Sequence, residues 1–255
     1  MKKTAIVTGS NRGIGRAIAL RLAADGANVV LCARDTLLLE STADEIRAAG
    51  GSARAVPLDL RQPESAAALV DAAVETFGGI DIVVNNAGAT RRGDFETLTD
   101  EDWTDGYALK LFGAVRLTRA AWPHLRARRG AVVHIAGSGG RTPGPQFTIG
   151  GSVNAALLSL TKALADLGLR DGIQVNAVNP GPVRTARFET RLARVASEHG
   201  VDTARAMEIF LREEKITKVG EPEDIAGLVA FILSDHGRLL HGSIIDADGG
   251  ATKTL

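Results

Sequence analysis

Short apolar runs rich in β-branched residues alternate along this chain with longer amphipathic runs rich in alanine and leucine. The short runs are almost continuously apolar, which is typical of parallel strands covered on both faces. Strands that alternate with helices in this way predict an α/β fold, a doubly wound parallel sheet flanked by helices. The seven expected strands are TAIVTG, NVVLCAR, ARAVPLDL, IDIVVNNAG, GAVVHIAGSGG, IQVNAVNPG and GSIIDADGG.

Length and composition limit the classes of protein to which the chain can belong. Its 255 residues, 45% of them hydrophobic, predict one domain over residues 1–255. Thirty basic residues balance thirty acidic ones, so the net charge favours neither nucleic acid nor an anionic membrane as a partner. Cys32 is the only cysteine, which excludes an intramolecular disulfide and a cysteine metal cluster. No segment approaches the ~20 apolar residues of a membrane helix. We therefore expect a cytoplasmic protein without a metal.

The stretch TGSNRGIG, residues 8–15, follows the first strand and opens the first helix. Its glycines suit a tight turn, a close approach of backbone amides to a pyrophosphate, and close packing of the helix on the strand. The helix N-terminus adds partial positive charge. This turn predicts a nucleotide site in a Rossmann-type domain. The residues expected to contact the cofactor here are Gly9, Ser10, Asn11, Arg12, Gly13, Ile14 and Gly15.

The end of the second strand bears on the choice of nucleotide. NAD-binding proteins usually place an acidic residue there, on the ribose hydroxyls. In this chain Arg34 comes first and Asp35 follows. Arg34 and Arg12 can form a guanidinium clamp on a 2′-phosphate, which favours NADP(H) over NAD(H). In the alternative interpretation Arg34 is a solvated loop residue and Asp35 binds the ribose.

Further motifs are spread over nearly the whole chain, and together with the glycine-rich turn they are highly specific. With them the chain resembles the classical single-domain members of the short-chain dehydrogenase/reductase family. The motifs are the LDL around Asp59, NNAG at 85–88, NPGPVRT at 179–185, GEPEDIA at 220–226 and DADGG at 246–250.

The resemblance implies an intact cofactor-binding half, because the residue at each position to which the family assigns a cofactor contact is one that the family's motif allows. It also implies that residues 187–218 are a substrate lid and that the protein forms a homotetramer. The implied contacts are Asp59 and Leu60 with the adenine, Asn86, Ala87 and Gly88 along the cofactor groove, and Pro180, Gly181, Val183 and Thr185 with the nicotinamide amide.

The catalytic half departs from the family. The family uses a tyrosine, a lysine four residues later, a serine on the preceding strand's loop and an asparagine on the long helix. Here NAALLSLTKALA, which is similar to the family's KAALLSLTKALA, assigns the first three positions to Gly150, Asn154 and Gly137. On the long helix, ALKLFGA assigns the position of the asparagine to Lys110. The only tyrosine is Tyr107, so no Tyr-x-x-x-Lys exists anywhere in the chain. The usual mechanism of the family is therefore excluded, and the chain is expected to be an atypical member.

A replacement proton donor has to reach the carbonyl oxygen of the substrate. Lys110 is the first candidate, because burial would lower the pKa of its ammonium group. Tyr107, three residues earlier, would share its helix face. Ser138, next to Gly137, can donate to a substrate or instead satisfy its own loop. Lys110 can equally be a solvated surface residue and Tyr107 a packing residue, and His134 is more typical of a hydrogen-bonded core residue than of a relay base. A glycine at position 150 would also open space for a water or a larger ligand.

Three functions remain open at this point. The first is an NADP(H)-dependent oxidoreductase that acts on a small carbonyl or alcohol substrate with a substituted proton donor. The second is an inactive nucleotide-binding or regulatory subunit. The third is a lyase or isomerase on the same scaffold, which the retained glycine-rich turn disfavours. The arginines of the lid, among them Arg187, Arg191 and Arg194, can meet an anionic substrate or form a solvated helix face.

Overall fold

One parallel sheet forms the centre of the molecule, with seven strands in the order β3-β2-β1-β4-β5-β6-β7. The computed structural model describes residues 2–253; Met1, Thr254 and Leu255, which the expected domain 1–255 includes, lie outside the described residues. The sheet confirms the predicted doubly wound α/β fold. The strands are β1 Thr4–Thr8, β2 Asn28–Ala33, β3 Ser52–Pro57, β4 Ile82–Asn85, β5 Ala131–Ile135, β6 Gln174–Pro180 and β7 Ile244–Ala247.

Helices cover both faces of this sheet. The alternation of β1 shows why both faces are apolar, because Ala5 and Val7 point into one cluster and Ile6 points into the other. The helices are α1 Gly13–Ala24, α2 Thr36–Ala48, α3 Ser65–Phe77, α4 Asp100–Tyr107, α5 Gly113–Arg128, α6 Thr148–Asp171, α7 Ala186–His199, α8 Thr203–Glu214 and α9 Pro222–Ile232.

The order of the strands reverses between β1 and β4. In a doubly wound sheet the crevice for ligands opens at this reversal, outside the carboxyl ends of the strands. The glycine-rich turn follows β1 and the NNAG segment includes the end of β4, so both lie at the crevice. Within residues 2–253 no helix is both long and apolar enough to cross a lipid bilayer.

The stretch TDEDWTDGYALKLFGAVRLTRAAWPHLRARRG predicts one long helix that begins at Thr99 or Asp100. This helix is present, but it is interrupted. Thr99 caps α4, its hydroxyl accepting the N–H of Asp102 at 3.3 Å. A π-helical turn, Ala108–Phe112, then joins α4 to α5. Such turns insert one residue and often occur at functional sites. The sequence periodicity did not predict this turn, although it contains the candidate Lys110.

The sequence predicts a helix over Val153 to Leu169, and the corresponding helix α6 begins five residues earlier, at Thr148. Its first turn contains Gly150 and Gly151, and each glycine in a helix costs about 1 kcal/mol relative to alanine. Close contacts explain why they are nevertheless helical. A Cβ added to Gly151 would lie 3.1 Å from the carbonyl oxygen of Gly139. The glycines therefore let α6 approach the loop after β5.

Candidate active site

The glycine-rich turn after β1 makes the close backbone contacts that the sequence predicted. Gly9 and Gly13 have positive φ angles of 65° and 55°, which glycine adopts without strain. A Cβ added to Gly15 would lie 2.3 Å from the carbonyl oxygen of Gly9. Within the described chain no side-chain cap and no acidic residue occupies the first turn of α1. Its N–H groups thus fit a phosphate-bearing cofactor, and the neighbouring Asn11 and Ile14 are partly exposed.

Thr8 holds this turn against the segment that follows β4. Its hydroxyl accepts the N–H groups of Asn86 and Ala87, each at 2.9 Å. The Asn86 side-chain amide donates to the Thr8 carbonyl at 2.8 Å. The structure therefore brings the two predicted cofactor segments together. Ser10 is fully buried and its hydroxyl accepts the N–H of Cys32 at 3.0 Å, so only its backbone remains available to a ligand.

At the end of β2 the side chains of Arg34 and Asp35 make different contacts. The Arg34 guanidinium is 64% exposed and lies 3.8 Å from the Asp59 carboxylate. Asp35 caps α2, its carboxylate accepting the N–H of Leu38 at 3.1 Å. Arg12, on the glycine-rich turn, is exposed. The two arginines are thus accessible, and Asp35 holds one of its carboxylate oxygens against its own helix.

The segment after β6 leads back to the glycine-rich turn. Pro180 ends β6, and a Cβ on Gly181 would lie 2.6 Å from the Cα of Asp248. Val183 forms an isolated parallel bridge. Thr185 caps α7, and its methyl group lies 3.2 Å from the position of a Cβ on Gly13. These residues therefore lie beside the glycine-rich turn, whereas Leu60, an expected adenine contact, is buried.

Lys110 lies inside the crevice and not on the surface of its helix. Its Nζ donates to the carbonyl oxygen of Ala136 at 2.5 Å, at the carboxyl end of β5. Its methylene groups lie against Gly88, where an added Cβ would be 2.8 Å from the Lys110 Cδ. Burial, together with the positive charge of Arg187, lowers the pKa of Lys110 from 10.5 to about 7. A lysine with this pKa exchanges protons near neutral pH.

The expectation that Gly150 opens space in the crevice is wrong. A Cβ added to Gly150 would lie 2.1 Å from the Cε2 and Cζ atoms of Phe147. The same ring also lies against Gly139, where an added Cβ would be 2.8 Å from its Cδ1 and Cε1 atoms. Phe147 precedes α6 and folds its ring over the glycine three residues later. The volume next to Gly150 is therefore filled by an aromatic ring.

Asn154 occupies the position at which the resemblance expects lysine. Its side chain is 2% exposed, and a Cβ on Gly137 would lie 2.9 Å from its Nδ2. Within residues 2–253 its buried Oδ1 has no hydrogen-bond partner. Asn154 thus lies under the loop after β5, and it places an uncharged side chain at the position where the family has a lysine.

Ser138 presents an unused hydroxyl. Its backbone carbonyl closes the turn by accepting the N–H groups of Arg141 and Thr142 at 3.0 and 3.1 Å. Among the described residues its Oγ forms no hydrogen bond, and it is not among the buried unsatisfied atoms. The hydroxyl is therefore left for a ligand, two residues beyond the carbonyl group that binds Lys110.

Tyr107 and His134 contribute less to the crevice. The ring of Tyr107 stacks on Trp103, with ring centroids 6.5 Å apart and an interplanar angle of 25°. His134 is fully buried in β5, with its Nδ1 3.2 Å from the side-chain amide of Asn85. These contacts match the packing interpretation of Tyr107 and the core interpretation of His134.

The burial of His134 predicts a pH-dependent stability. Burial lowers its pKa from 6.5 to about 4, so the unfolded chain binds a proton in this interval that the folded protein does not. The free energy of unfolding should therefore decrease by about 3 kcal/mol as the pH falls from 6.5 to 4 through this residue. Denaturant titrations of His134→Gln and the parent protein should differ in slope against pH; equal slopes would contradict the assignment.

The sequence did not single out a polar network that fixes the loop after β5. The Arg141 Nε forms an ion pair with the Asp246 carboxylate at 3.2 Å. The Asn179 side chain donates to the same carboxylate at 2.8 Å and accepts the Gly137 N–H at 3.2 Å. Asn179 lies in the motif NPGPVRT at the end of β6, and Asp246 lies in the motif DADGG at the end of β7. Their positions at neighbouring strand ends are the sequence signal from which this network could have been predicted.

Helices α7 and α8 form a pair with an apolar cluster of their own, which includes Phe188 and Phe210. Arg191 is paired with Glu214, and Arg194 with Glu198. Arg191 and Arg194 thus have carboxylate partners within α7 and α8, which agrees with the interpretation that they form a solvated helix face. Arg187 differs, because its guanidinium donates to the carbonyl oxygen of Gly88 at 3.2 Å, across the crevice.

Comparison with known proteins gives matches over nearly the whole chain. A family model described as enoyl-(acyl carrier protein) reductase matches residues 9–252. The oxidoreductase UcpA of Escherichia coli strain K12 is 36% identical, over 98% of this chain and 94% of that protein.

Two solved structures are also similar. L-sorbose reductase from Gluconobacter frateurii, in complex with NADPH and L-sorbose, has a TM-score of 0.95 and 34% identity, covering 100% of this chain and 98% of that one. A short-chain oxidoreductase from Pseudomonas aeruginosa PAO1, described as containing an atypical catalytic center, has a TM-score of 0.92 and 29% identity, covering 99% of this chain and 98% of that one.

Proposed function

Because the chain belongs to the short-chain dehydrogenase/reductase family, we propose that it is an NADP(H)-dependent oxidoreductase that interconverts a small carbonyl compound and an alcohol. The observation that carries the proposal is the position of Lys110, whose Nζ donates to the carbonyl oxygen of Ala136 at the carboxyl end of β5, two residues before Ser138. The similar L-sorbose reductase, which was solved with NADPH, supports the choice of cofactor.

The cofactor would lie along the crevice from β2 to β6. The first turn of α1 would hold its phosphates, and Arg34 with Arg12 would bind the 2′-phosphate. Asp35 caps α2 through one carboxylate oxygen, whereas the exposed Arg34 guanidinium lies 3.8 Å from Asp59 and can turn towards a phosphate. The remaining predicted contacts, from Asp59 to Thr185, line the same route. When bound, NADPH supplies the hydride, and the protein has to orient the carbonyl group and provide one proton.

Lys110 would provide that proton. Gly150 and Asn154 carry no acid, and Phe147 fills the space beside Gly150. The ammonium group of Lys110 is held by one backbone carbonyl and can donate a second N–H to a carbonyl oxygen. In the reduction direction it donates a proton to the forming alkoxide; in the oxidation direction its neutral amine accepts the proton. The oxidoreductase from P. aeruginosa with an atypical catalytic center supports a departure from the usual tyrosine.

Ser138 would donate its hydroxyl hydrogen to the same carbonyl oxygen and so orient it. Because its ring is stacked on Trp103, Tyr107 would not contact the substrate. Its only role would be to hold the π-helical turn in position. We also propose that residues 187–218, with α7 and α8, form the substrate lid, because Arg187 already bridges to Gly88.

Assembly into a homotetramer remains part of this proposal. The family resemblance assigns the interfaces of such a tetramer to the long helix, to its neighbour α6, and to the last strand and helix, and exposed apolar side chains on α6 and α9 support this assembly. Leu169 on α6 is 70% exposed and Phe231 on α9 is 48% exposed. Sedimentation of the purified protein measures this directly.

Titration with NADPH and NADH tests the cofactor assignment without a substrate. We expect NADPH to bind at least about 10-fold more tightly than NADH, because one bidentate contact with the 2′-phosphate is worth more than 1 kcal/mol. Arg34→Ala should weaken NADPH binding by about the same factor and leave NADH binding unchanged, so that NADH serves as the internal control. Equal affinities for both nucleotides would contradict the assignment.

A further inference from the structure

Arg92 lies at the mouth of the crevice, on the loop that follows β4. Its guanidinium carbon is 4.0 Å from the centroid of the Phe147 ring, and that ring covers Gly150. The loop is tied to the segment before α6, because Gly93 donates its N–H to the carbonyl oxygen of Gln146 at 3.2 Å. Arg92 therefore rests on the aromatic ring that fills the space beside Gly150, and the charge of Arg187 lowers the pKa of both Arg92 and Lys110.

The charge of Arg92 is not matched by a carboxylate. The adjacent Arg91 forms an ion pair with Asp102 at 3.1 Å, and Arg191 and Arg194 on the lid are paired with glutamates. Within residues 2–253, by contrast, Arg92 has neither an ion pair nor a hydrogen bond.

Further positive charges lie close to Arg92. Partial burial lowers its pKa, as do the charges of Arg191, Arg187 and Arg194, while Glu214 acts in the opposite direction. Arg187 and Lys110 likewise bond only to backbone carbonyls within residues 2–253. This end of the crevice thus collects positive charge that an anion would stabilise.

A guanidinium carbon over the face of an aromatic ring is attracted by the ring without using its N–H groups as donors to a carbonyl or carboxylate. Those N–H groups can then bind an oxyanion with two parallel hydrogen bonds. The phosphates of a dinucleotide are expected elsewhere, at the first turn of α1 and at Arg34. The charge of Arg12, on that turn, lowers the pKa of Arg187, so Arg187 lies close to Arg12. Binding of a substrate oxyanion by Arg92 does not require Arg187.

We propose that the substrate carries an oxyanion, a carboxylate or a phosphate ester, which Arg92 binds while the carbonyl group faces Lys110 and Ser138. This inference rests on the proposed function, because it assigns the substrate class of the same crevice. The Phe147 ring holds the Arg92 guanidinium in place. The distance between the anionic group and the carbonyl group of a substrate is set by the length of that substrate.

Calorimetric binding to the NADP⁺-saturated and the nucleotide-free protein tests this inference without turnover. The probes are acetoacetate, levulinate and dihydroxyacetone phosphate, compared with methyl acetoacetate, methyl levulinate and dihydroxyacetone. At least one anionic probe should bind about 10-fold or more tightly than its neutral counterpart at low salt. The preferred member of the set distinguishes a carboxylate from a phosphate.

Variants of the two adjacent arginines locate the interaction. Arg92→Met should weaken binding of the anionic probe about 10- to 100-fold and leave binding of its neutral counterpart unchanged. Arg92→Lys should retain part of the preference, since it keeps the charge. Arg91→Met, the matched control, should behave as the parent protein. Thermal melting of each variant checks that it is folded.

Two outcomes would overturn the inference. Anionic and neutral probes that bind equally, or not at all, would contradict an oxyanion site. A preference that survives in Arg92→Met would assign it to other residues. Failure of the proposed function gives a different result, since a protein that prefers anionic probes but never oxidises NADPH has the site and lacks the reaction.

Discussion

Lys110→Met is expected to lower kcat for carbonyl reduction about 100-fold or more, because general acid catalysis contributes about 10²- to 10⁴-fold. Nucleotide binding should remain within about 3-fold of the parent protein, since the variant keeps the methylene chain against Gly88. Stopped-flow measurement of NADPH oxidation and a parallel nucleotide titration separate the two effects. The exposed Lys3, replaced by methionine, is the control for loss of one positive charge.

The same variant should be more stable than the parent protein. The folded-state pKa of Lys110 is lowered from 10.5 to about 7, so at neutral pH the fold works against protonation of this side chain. Removal of the amine should raise the free energy of unfolding by up to about 4 kcal/mol at pH 7. Between pH 7 and 10.5 the unfolded chain binds the additional proton, so this difference should shrink as the pH rises. A destabilised Lys110→Met would indicate a structural role instead.

Gly15→Ala is expected to abolish nucleotide binding, with an increase in Kd of about 100-fold or more. An added Cβ would lie 2.3 Å from both the Gly9 carbonyl oxygen and the Asn86 Nδ2. The backbone oxygen cannot move without displacing the turn that faces the phosphates. Overpacking of this kind costs about 1–3 kcal/mol in stability. Isothermal titration with NADPH and thermal melting measure both effects.

Gly227→Ala is the matched control for that variant, since both glycines are helical. The nearest atom to a Cβ on Gly227 is the end of the Arg21 side chain, at 3.9 Å. Alanine in this open position of α9 should stabilise the protein by about 0.5–1 kcal/mol and leave NADPH binding unchanged. If Gly15→Ala binds NADPH as well as Gly227→Ala does, the glycine-rich turn is not the phosphate site.

The fold could be predicted from the sequence because local signals and the sheet agree. The central strands β1, β4 and β5 are buried along their whole length, and glycines mark the ends at which backbone segments touch. The cofactor segments were predictable for the same reason, since Gly9, Gly13 and Gly15 have no equivalent substitutes in such a turn. Thr99 likewise marked the start of its helix correctly.

The catalytic end of the crevice was less predictable, because its geometry depends on side chains that meet only in the folded protein. Lys110 reaches Ala136 across two elements, and no helical pattern indicates that direction. Phe147 fills the space that Gly150 leaves, which reverses the expectation of an open volume. Arg92 follows the NNAG segment closely, yet its lack of a partner becomes visible only when Arg91 and Asp102 are found paired.

The pH dependence of NADPH-linked carbonyl reduction, in the parent protein and in Lys110→Met, is the most direct test of the central claim. A panel of aldehydes, ketones and oxo acids supplies the substrate. Only the protonated amine can act as the acid, so the rate should be constant at low pH and fall above a midpoint near pH 7, or somewhat higher once cofactor phosphates are bound. Lys110→Met should be slow and independent of pH over this range. An unchanged profile in Lys110→Met, or NADPH that binds but is oxidised with no member of the panel, would contradict the account.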